Sequence, residues 1–148
     1  MSALFSKSCQ YAVQAMLFLA SQPKEEPVLL RDISAALQIP PHFLSKILQT
    51  LARDRLVVSF KGVNGGFQLA RPPRKICLFD IVQATDGETP LDRCVLGFPG
   101  CGEENPCPVH PIWKRAKQLI LDMLKNKNIA QLSKEIDVKL DLIEQLTK

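Results

Sequence analysis

Apolar residues recur at three- and four-residue steps in several segments of the chain, and this spacing predicts amphipathic helices. The first predicted helix covers residues 8–21, with Ser8 as its N-cap. The second covers 30–37. The third covers 41–53, where a proline suits the first turn because its missing N–H is not needed there. The residues of the third helix that are predicted to face inward are Phe43, Leu44, Ile47, Leu48 and Leu51.

The second and third predicted helices are joined by Gln38-Ile39-Pro40, a tight connection. Two helices around a short turn, the second with a polar and basic outer face, are typical of a helix-turn-helix. Because many helical hairpins share this pattern, the segment alone is weak evidence for DNA binding. The residues of the third helix predicted to contact DNA are His42, Ser45, Lys46, Gln49 and Arg53.

A β-hairpin is predicted directly after the helix-turn-helix. Residues 56–60 are rich in β-forming residues, 67–70 alternate apolar and polar, and Lys61-Gly62-Val63-Asn64-Gly65-Gly66 between them contains Asn-Gly and Gly-Gly turn signals. A hairpin at this position is a wing. Its glycines either allow the turn to approach a DNA backbone closely or are needed only for a backbone with positive φ, and the two explanations are compatible. The wing residues predicted to contact DNA are Lys61, Asn64, Gly65 and Arg71, with Arg74 and Lys75 adding positive charge.

Helical spacing continues in the second half of the chain. A short helix is predicted over 78–86, with Ile81 and Val82 inward and Gly87 as its stop, and a long one over 111–127. Asn128 is a candidate cap for a final segment, 129–147. The apolar stripe of the long helix consists of Ile112, Trp113, Ala116, Leu119, Ile120, Met123 and Leu124.

A long helix beyond so small a domain commonly pairs with its copy, so the stripe favours a homodimer over packing within one chain.

Charge is unevenly divided along the 148 residues. Residues 1–75 carry ten Lys and Arg against four Asp and Glu, a net of +6, whereas 76–148 carry nine against eleven, a net of −2. A basic first half suggests that this half faces a polyanion, although an ordinary solvated surface is equally compatible with charge alone.

Membrane insertion, secretion and catalysis find no support in the sequence. No apolar stretch approaches the roughly 20 residues that a membrane span needs, and the N-terminus shows no signal-peptide cleavage pattern, so we expect a cytoplasmic protein. The sequence contains no Gly-x-Ser-x-Gly motif, Walker loop or His-Glu-x-x-His motif, and two histidines leave little for acid–base chemistry, so we expect no enzyme.

A loop rich in glycine and proline, residues 88–110, concentrates candidate ligands: Cys94, Cys101, Cys107 and His110. Thiolates bind soft metals and iron–sulfur clusters, and imidazole can replace a thiolate. Spacings of six and five intervening residues favour a cluster over zinc, whose structural sites usually have Cys-x2-Cys knuckles. Zinc, and an oxidation-driven thiol switch without metal, remain open alternatives.

The chain resembles the IscR/NsrR/CymR family of bacterial winged-helix regulators, from Ser6 to about Leu132. The residues that carry the resemblance are Ser6-Lys7, Tyr11-Ala12-Val13, the helix-turn-helix, the wing from Lys61 to Pro72, Asp80-Ile81-Val82 and the cysteine loop.

The resemblance implies a homodimer with a crossed-over C-terminal helix, a palindromic operator and an iron–sulfur cluster, 2Fe-2S or 4Fe-4S, on Cys94, Cys101 and Cys107. His110 stands where a ligating histidine falls in the IscR branch. Two departures leave the fourth ligand open: the first cysteine interval is one residue longer, and one extra residue precedes Tyr11. Cys9 and Gln10 are therefore further candidates.

We therefore expect a mainly α protein with a winged helix-turn-helix (1–86), a cysteine-rich sensor loop (87–110) and a dimerisation helix with a C-terminal tail (111–148). The predicted function is that of a dimeric repressor or dual regulator that binds double-stranded DNA under the control of the cysteine loop. The rival from another class is a zinc- or cluster-carrying interaction module that never binds DNA, against which the basic first half speaks.

Overall fold

The protein is a small bundle of helices with one two-stranded antiparallel sheet in the computed structural model, which describes residues 4–23, 25–87 and 90–147. Short 3-10 turns lie at Pro73–Lys75 and Pro90–Asp92. The helices and strands are, in chain order, α1 (Lys7–Ser21), α2 (Leu30–Leu37), α3 (Pro41–Arg53), β1 (Val57–Phe60), β2 (Gly66–Leu69), α4 (Leu78–Thr85), α5 (His110–Asn126), α6 (Ile129–Ser133) and α7 (Ile136–Thr147).

The start of α1 differs from the expectation. Ser6, not Ser8, is the N-cap, and its hydroxyl accepts a hydrogen bond from the Cys9 N–H at 3.0 Å. The backbone N–H of Ser6 donates to a carboxylate oxygen of Asp86 at 2.9 Å, and its hydroxyl donates to the other. Ser8 lies inside the helix. Asp86 follows α4 and is remote in sequence, so this tie was not visible in the local pattern.

The helix-turn-helix forms as predicted, with α2 and α3 at the expected bounds. Gln38 ends α2 in the left-handed conformation, and the buried Ile39 receives a hydrogen bond from the Ser34 hydroxyl on its carbonyl oxygen. Four of the five inward positions of α3 are buried, but the prediction for Phe43 is wrong. Phe43 is 40% exposed and its ring packs edge-on against Tyr11 at 5.9 Å between centroids, whereas the adjacent Leu44 is fully buried.

The wing is the β1–β2 hairpin, with Val57 opposite Leu69 and Phe60 opposite Gly66. Gly66 has φ 140°, and a Cβ there would lie 2.4 Å from the carbonyl oxygen of Val28, with which the next residue forms a β-bridge. The strand thus runs against the loop that precedes α2, and only glycine fits this approach. Both strands begin one residue away from the predicted starts, β1 at Val57 and β2 at Gly66.

Two apolar clusters hold the chain together. The larger one joins α1, α2, α3, the wing and α4, and also takes in Ile129 from α6. The smaller one joins Cys9, Val82, Leu91 and Leu124, and thereby fixes α5 and the start of the cysteine loop against α1 and α4. The inward placement of Ile81 and Val82 is confirmed.

Helix α5 begins and ends one residue before the predicted bounds, so that His110 is its first residue. The apolar stripe of α5 has one group of residues that packs on the chain's own core and another that is exposed. Trp113, Ile120 and Leu124 pack on the smaller cluster. Ile112, Leu119 and Met123 are 64%, 72% and 47% exposed, respectively.

The C-terminal segment folds back onto the N-terminal half. Asn128 caps α6 as predicted, since its side chain accepts from the Gln131 N–H at 2.9 Å, and it also forms a bridge with Cys77. The predicted single segment 129–147 is two helices, α6 and α7, of which α6 packs on α1 and α7 on α1 and α2. In the residues that the structure describes, no helix combines the length and apolar character needed to cross a membrane.

Replacing Arg55 by Gly is expected to stabilise the fold. Arg55 joins α3 to β1 at φ 61°, where a Cβ costs about 1–2 kcal/mol and glycine costs little. Glycine also gives the unfolded chain more conformational entropy, which offsets about half of the strain energy that is relieved. We therefore expect the free energy of unfolding to rise by about 0.5–1 kcal/mol. Urea unfolding monitored by circular dichroism measures it.

The matched control is Arg55→Ala, which removes the same charge but keeps the Cβ. It should show no such gain. Equal stabilisation by Ala and Gly would assign the effect to charge rather than to backbone conformation.

Candidate metal centre and nucleic-acid interface

The three cysteines of the loop converge. The sulfur atoms of Cys94, Cys101 and Cys107 all lie within 4.8 Å of one another, and the Cys94 and Cys107 sulfurs are 3.5 Å apart. All three residues are partly buried and none is in a disulfide. Thirteen positions separate the first from the last, so the loop must turn back on itself to bring them together.

The loop backbone shapes this convergence. Gly97 and Gly100 both adopt left-handed conformations, at φ 84° and 70°, where other residues are strained. The Gly97 N–H donates to the Cys94 carbonyl oxygen at 3.0 Å, and the Cys107 N–H donates to the Cys101 sulfur at 3.4 Å. Backbone donors aimed at sulfur stabilise thiolates, which are the metal-binding form of cysteine.

The thiols are electrostatically unequal. Burial by itself raises the pKa of Cys94, but hydrogen bonds from the Phe98 and Leu96 backbones and from the other two thiols outweigh it and lower the pKa to about 7. At Cys101 the Cys107 N–H lowers the pKa, yet burial and the two neighbouring thiols together raise it above the ordinary value. Cys94 is therefore the first of the two to become a thiolate as the pH rises.

His110 lies at the edge of the sulfur cluster. Its Nδ1 is 3.7 Å from the Cys101 sulfur, and its Nε2 is 3.7 Å from a carboxylate oxygen of Glu103, which also pairs with Lys114. Glu103 is a residue that the sequence pattern did not single out.

The other candidates for a fourth ligand lie elsewhere. Cys9 is fully buried in the smaller apolar cluster, where burial raises the pKa of its thiol, and it is not part of the group of convergent thiols. Gln10 is exposed on α1. Of the candidates within one chain, His110 is the one that the fold places beside a loop cysteine.

The donor set fits a soft metal or an iron–sulfur cluster. Three thiols and an imidazole are ligands that both zinc and iron–sulfur centres accept. A single tetrahedral zinc with bonds of about 2.3 Å holds its sulfurs about 3.8 Å apart, close to the observed spacing. A centre with several irons spreads its thiolates farther apart than a single zinc does.

The predicted DNA-contacting face of α3 is exposed as expected. His42, Lys46, Gln49 and Arg53 are exposed, and Ser45 is half-buried with its hydroxyl 3.5 Å from the Gln49 side-chain amide.

The wing residues predicted to contact DNA differ in their exposure. Lys61, Asn64 and Arg71 are exposed, whereas Gly65 is buried, and a Cβ there would lie 2.3 Å from the Phe60 carbonyl oxygen. Arg71 lines a cavity together with Arg53 of α3, so the base of the wing adjoins the end of that helix.

A family model described as "Rrf2: Iron-dependent Transcriptional regulator" matches residues 5–135. The chain is 34% identical over 131 residues to a putative HTH-type transcriptional regulator of Aquifex aeolicus, a match that covers 87% of this chain and 90% of the relative. It is 32% identical over 129 residues to the HTH-type transcriptional regulator IscR of Yersinia pestis, covering 87% and 78%.

Solved structures show the same fold. CymR, described as the global cysteine regulator of B. subtilis, superposes with a TM-score of 0.77 at 23% identity, covering 90% of this chain and 98% of that one. IscR of T. potens superposes with a TM-score of 0.71 at 27% identity, covering 92% and 88%.

Proposed function

The chain belongs to the Rrf2 family of transcriptional regulators, and from that premise we propose that it is a homodimeric repressor whose affinity for a palindromic operator depends on an iron–sulfur cluster held by Cys94, Cys101 and Cys107. Membership confirms the expected family, the winged-helix fold and the expectation that the protein is not an enzyme. Because the proposed ligand is chromosomal DNA, we place the protein in the cytoplasm.

The observation that carries the proposal is the convergence of the three thiols in a chain of this family. Two left-handed glycines and a backbone N–H donor shape the loop around them. Such a set of ligands serves no purpose in packing, since these cysteines lie outside both apolar clusters.

The path from the loop to DNA runs through α5. Leu91, before the first loop cysteine, is buried in the smaller cluster beside Leu124 of α5, and the Trp113 indole N–H donates to the Arg93 carbonyl oxygen at 3.0 Å. His110 is itself the first residue of the helix. A bound cluster supplies redox-active iron at this position. Any rearrangement of the ligating loop then moves α5, the proposed dimer helix, and with it the spacing of the two DNA-contacting helices.

Zinc is the second candidate, and the compactness of the thiol group favours it. Sulfurs within 4.8 Å of one another need to move least to surround one tetrahedral ion. The regulator would then hold a structural metal.

The experiment that tests the function is a titration of the protein, purified without oxygen, against its own promoter DNA. It is run as purified, after removal of metal by a chelator, and after reconstitution with iron and sulfide or with zinc. Tight binding that depends on iron and sulfide supports the proposal. Binding restored by zinc alone supports the second candidate, and binding that is indifferent to all treatments contradicts control by the loop.

Wing cations are expected to contribute affinity without sequence preference. Lys61→Ala should weaken binding to all duplexes and reduce the slope of log K against log salt by about 0.9, the value of one lost phosphate contact. Arg71→Ala should do the same, and Gln49→Ala or Ser45→Ala should alter sequence preference instead, since both residues lie on the outer side of α3. Fluorescence anisotropy at several salt concentrations measures both effects.

The matched control is Lys134→Ala. Lys134 is equally exposed but lies after α6, outside the basic half of the chain. An equal loss of salt dependence in this variant, or operator binding by all four test variants like the parent's, would contradict the docking arrangement.

A further inference from the structure

The two ring nitrogens of His110 have different surroundings. Nδ1 faces the Cys101 sulfur at 3.7 Å. Nε2 is buried, has no hydrogen-bond partner among the described residues, and lies 3.7 Å from the Glu103 carboxylate. The His110 side chain is only 14% exposed, so water gives this nitrogen little compensation.

We propose that Glu103 is a positioning residue for His110: its carboxylate, now 3.7 Å from Nε2, closes that gap to accept a hydrogen bond from the Nε2 proton, and so keeps the Nδ1 lone pair directed at the thiol group. The inference rests on the metal centre of the proposed function and adds a residue to it. His110 supplies the donor atom, and Glu103 acts only through His110.

Glu103 is held in place by an ion pair with α5, the helix whose first residue is His110. The Lys114 ammonium pairs with the same carboxylate oxygen that faces His110, and this pairing lowers the pKa of Glu103, with a smaller effect from His110. His110 and Lys114 are one turn apart on α5, so the carboxylate bridges two neighbouring positions of one helix face. The loop between Cys101 and Cys107 is thereby pinned to the first turn of α5.

The chemistry requires a partner at Nε2. A neutral imidazole carries one proton, and the nitrogen without it is the one that can ligate a metal. A buried N–H without an acceptor is costly, so the proton prefers the nitrogen that has one. A carboxylate behind a histidine therefore fixes both the tautomer and the ring orientation, as it does in carboxylate–histidine–metal arrangements.

The first test reads the tautomer in reduced, metal-free protein. Long-range ¹H–¹⁵N NMR distinguishes the two tautomers, and the chain has only two histidines, so His42→Ala assigns the signals. We expect His110 to carry its proton on Nε2. Glu103→Ala should move the equilibrium toward Nδ1–H, and Glu103→Gln, whose amide oxygen still accepts, should largely preserve it. An Nδ1–H tautomer in the parent, or no change in Glu103→Ala, overturns the proposal.

The second test uses cobalt(II) alone as the probe, with its affinity read from the thiolate absorption bands. We expect Glu103→Ala to weaken binding about 10-fold or more, and Glu104→Ala, the exposed neighbour, to leave it unchanged. In a His110→Ala background, Glu103→Ala should have no further effect. An equal loss in both backgrounds would show that Glu103 acts through its charge alone and would overturn the proposal. If the parent binds no cobalt, the metal centre itself fails, while the tautomer still decides the role of Glu103.

Discussion

Serine in place of any one of Cys94, Cys101 or Cys107 is expected to remove the colour and most of the iron from protein purified without oxygen. The alcohol is a far weaker ligand than a thiolate, and each of the three sulfurs lies within 4.8 Å of the other two, so each loss leaves a centre with two thiols. We expect iron to fall from near stoichiometric to background in each variant. Visible absorption together with iron, sulfide and zinc analysis provides the measurement.

Cys77→Ser is the matched control. Cys77 caps α4, with its sulfur 3.4 Å from the Asp80 carboxylate, and a serine hydroxyl can take over that cap. The variant should keep the colour. Cys9→Ser should also keep it, because Cys9 is buried in the smaller apolar cluster and not among the convergent thiols. Bleaching by Cys9→Ser with the fold intact would instead identify it as the fourth ligand.

If the parent protein is colourless, metal analysis distinguishes between the two alternatives to a cluster, a zinc site and a thiol switch. One stoichiometric zinc would replace the cluster by a structural ion. A metal-free protein whose DNA affinity changes with peroxide would favour the thiol switch, for which the 3.5 Å between the Cys94 and Cys107 sulfurs is suitable.

Leu119→Asp combined with Met123→Asp is expected to convert a dimer into monomers. Both side chains are exposed in the single chain, at 72% and 47%, and they extend a stripe that begins at Ile112. In a monomer the two aspartates would be solvated. In an apolar dimer interface they would be buried without a partner, which would destabilise the dimer by several kcal/mol. Analytical ultracentrifugation at micromolar concentration should show the change, and affinity for a palindromic operator should fall about 100-fold or more, because the second half-site no longer adds to binding.

Gln118→Asp on the same helix is the control. Gln118 is exposed on another side of α5, where it donates to Asp122, so its replacement adds a carboxylate without touching the stripe. It should leave the parent's sedimentation unchanged. Unchanged circular dichroism of the double variant separates dissociation from unfolding, and a parent that sediments as a monomer would refute the dimer directly.

Elements governed by local pattern were predictable from the sequence. The bounds of α2 and α3 agree with the prediction because apolar periodicity and Pro41 act within a turn or two of the chain. The hairpin, the Asn128 cap and the left-handed Gly87 after α4 are likewise local. The three loop cysteines were evident from composition and spacing, and family membership followed from the same motifs.

Only the tertiary structure decided features that depend on residues far apart in sequence. Ser6, the N-cap of α1, is also tied to Asp86 at the end of α4, 80 positions away. Phe43 is exposed although its helical phase is apolar, since periodicity gives the direction of a side chain but not the extent of its neighbours.

The long helix and the group of loop cysteines show the same division. One apolar stripe was visible on α5, but which residues pack on the chain's own core and which stay exposed depends on where α1 and α4 lie. In sequence His110 was the nearer candidate for the fourth ligand and Cys9 the alternative. The fold buries Cys9 and sets His110 beside Cys101, with Glu103 behind it. Residue types and spacing determine which atoms are available to a site. Which of them meet is decided by the packing of helices that are distant in the chain.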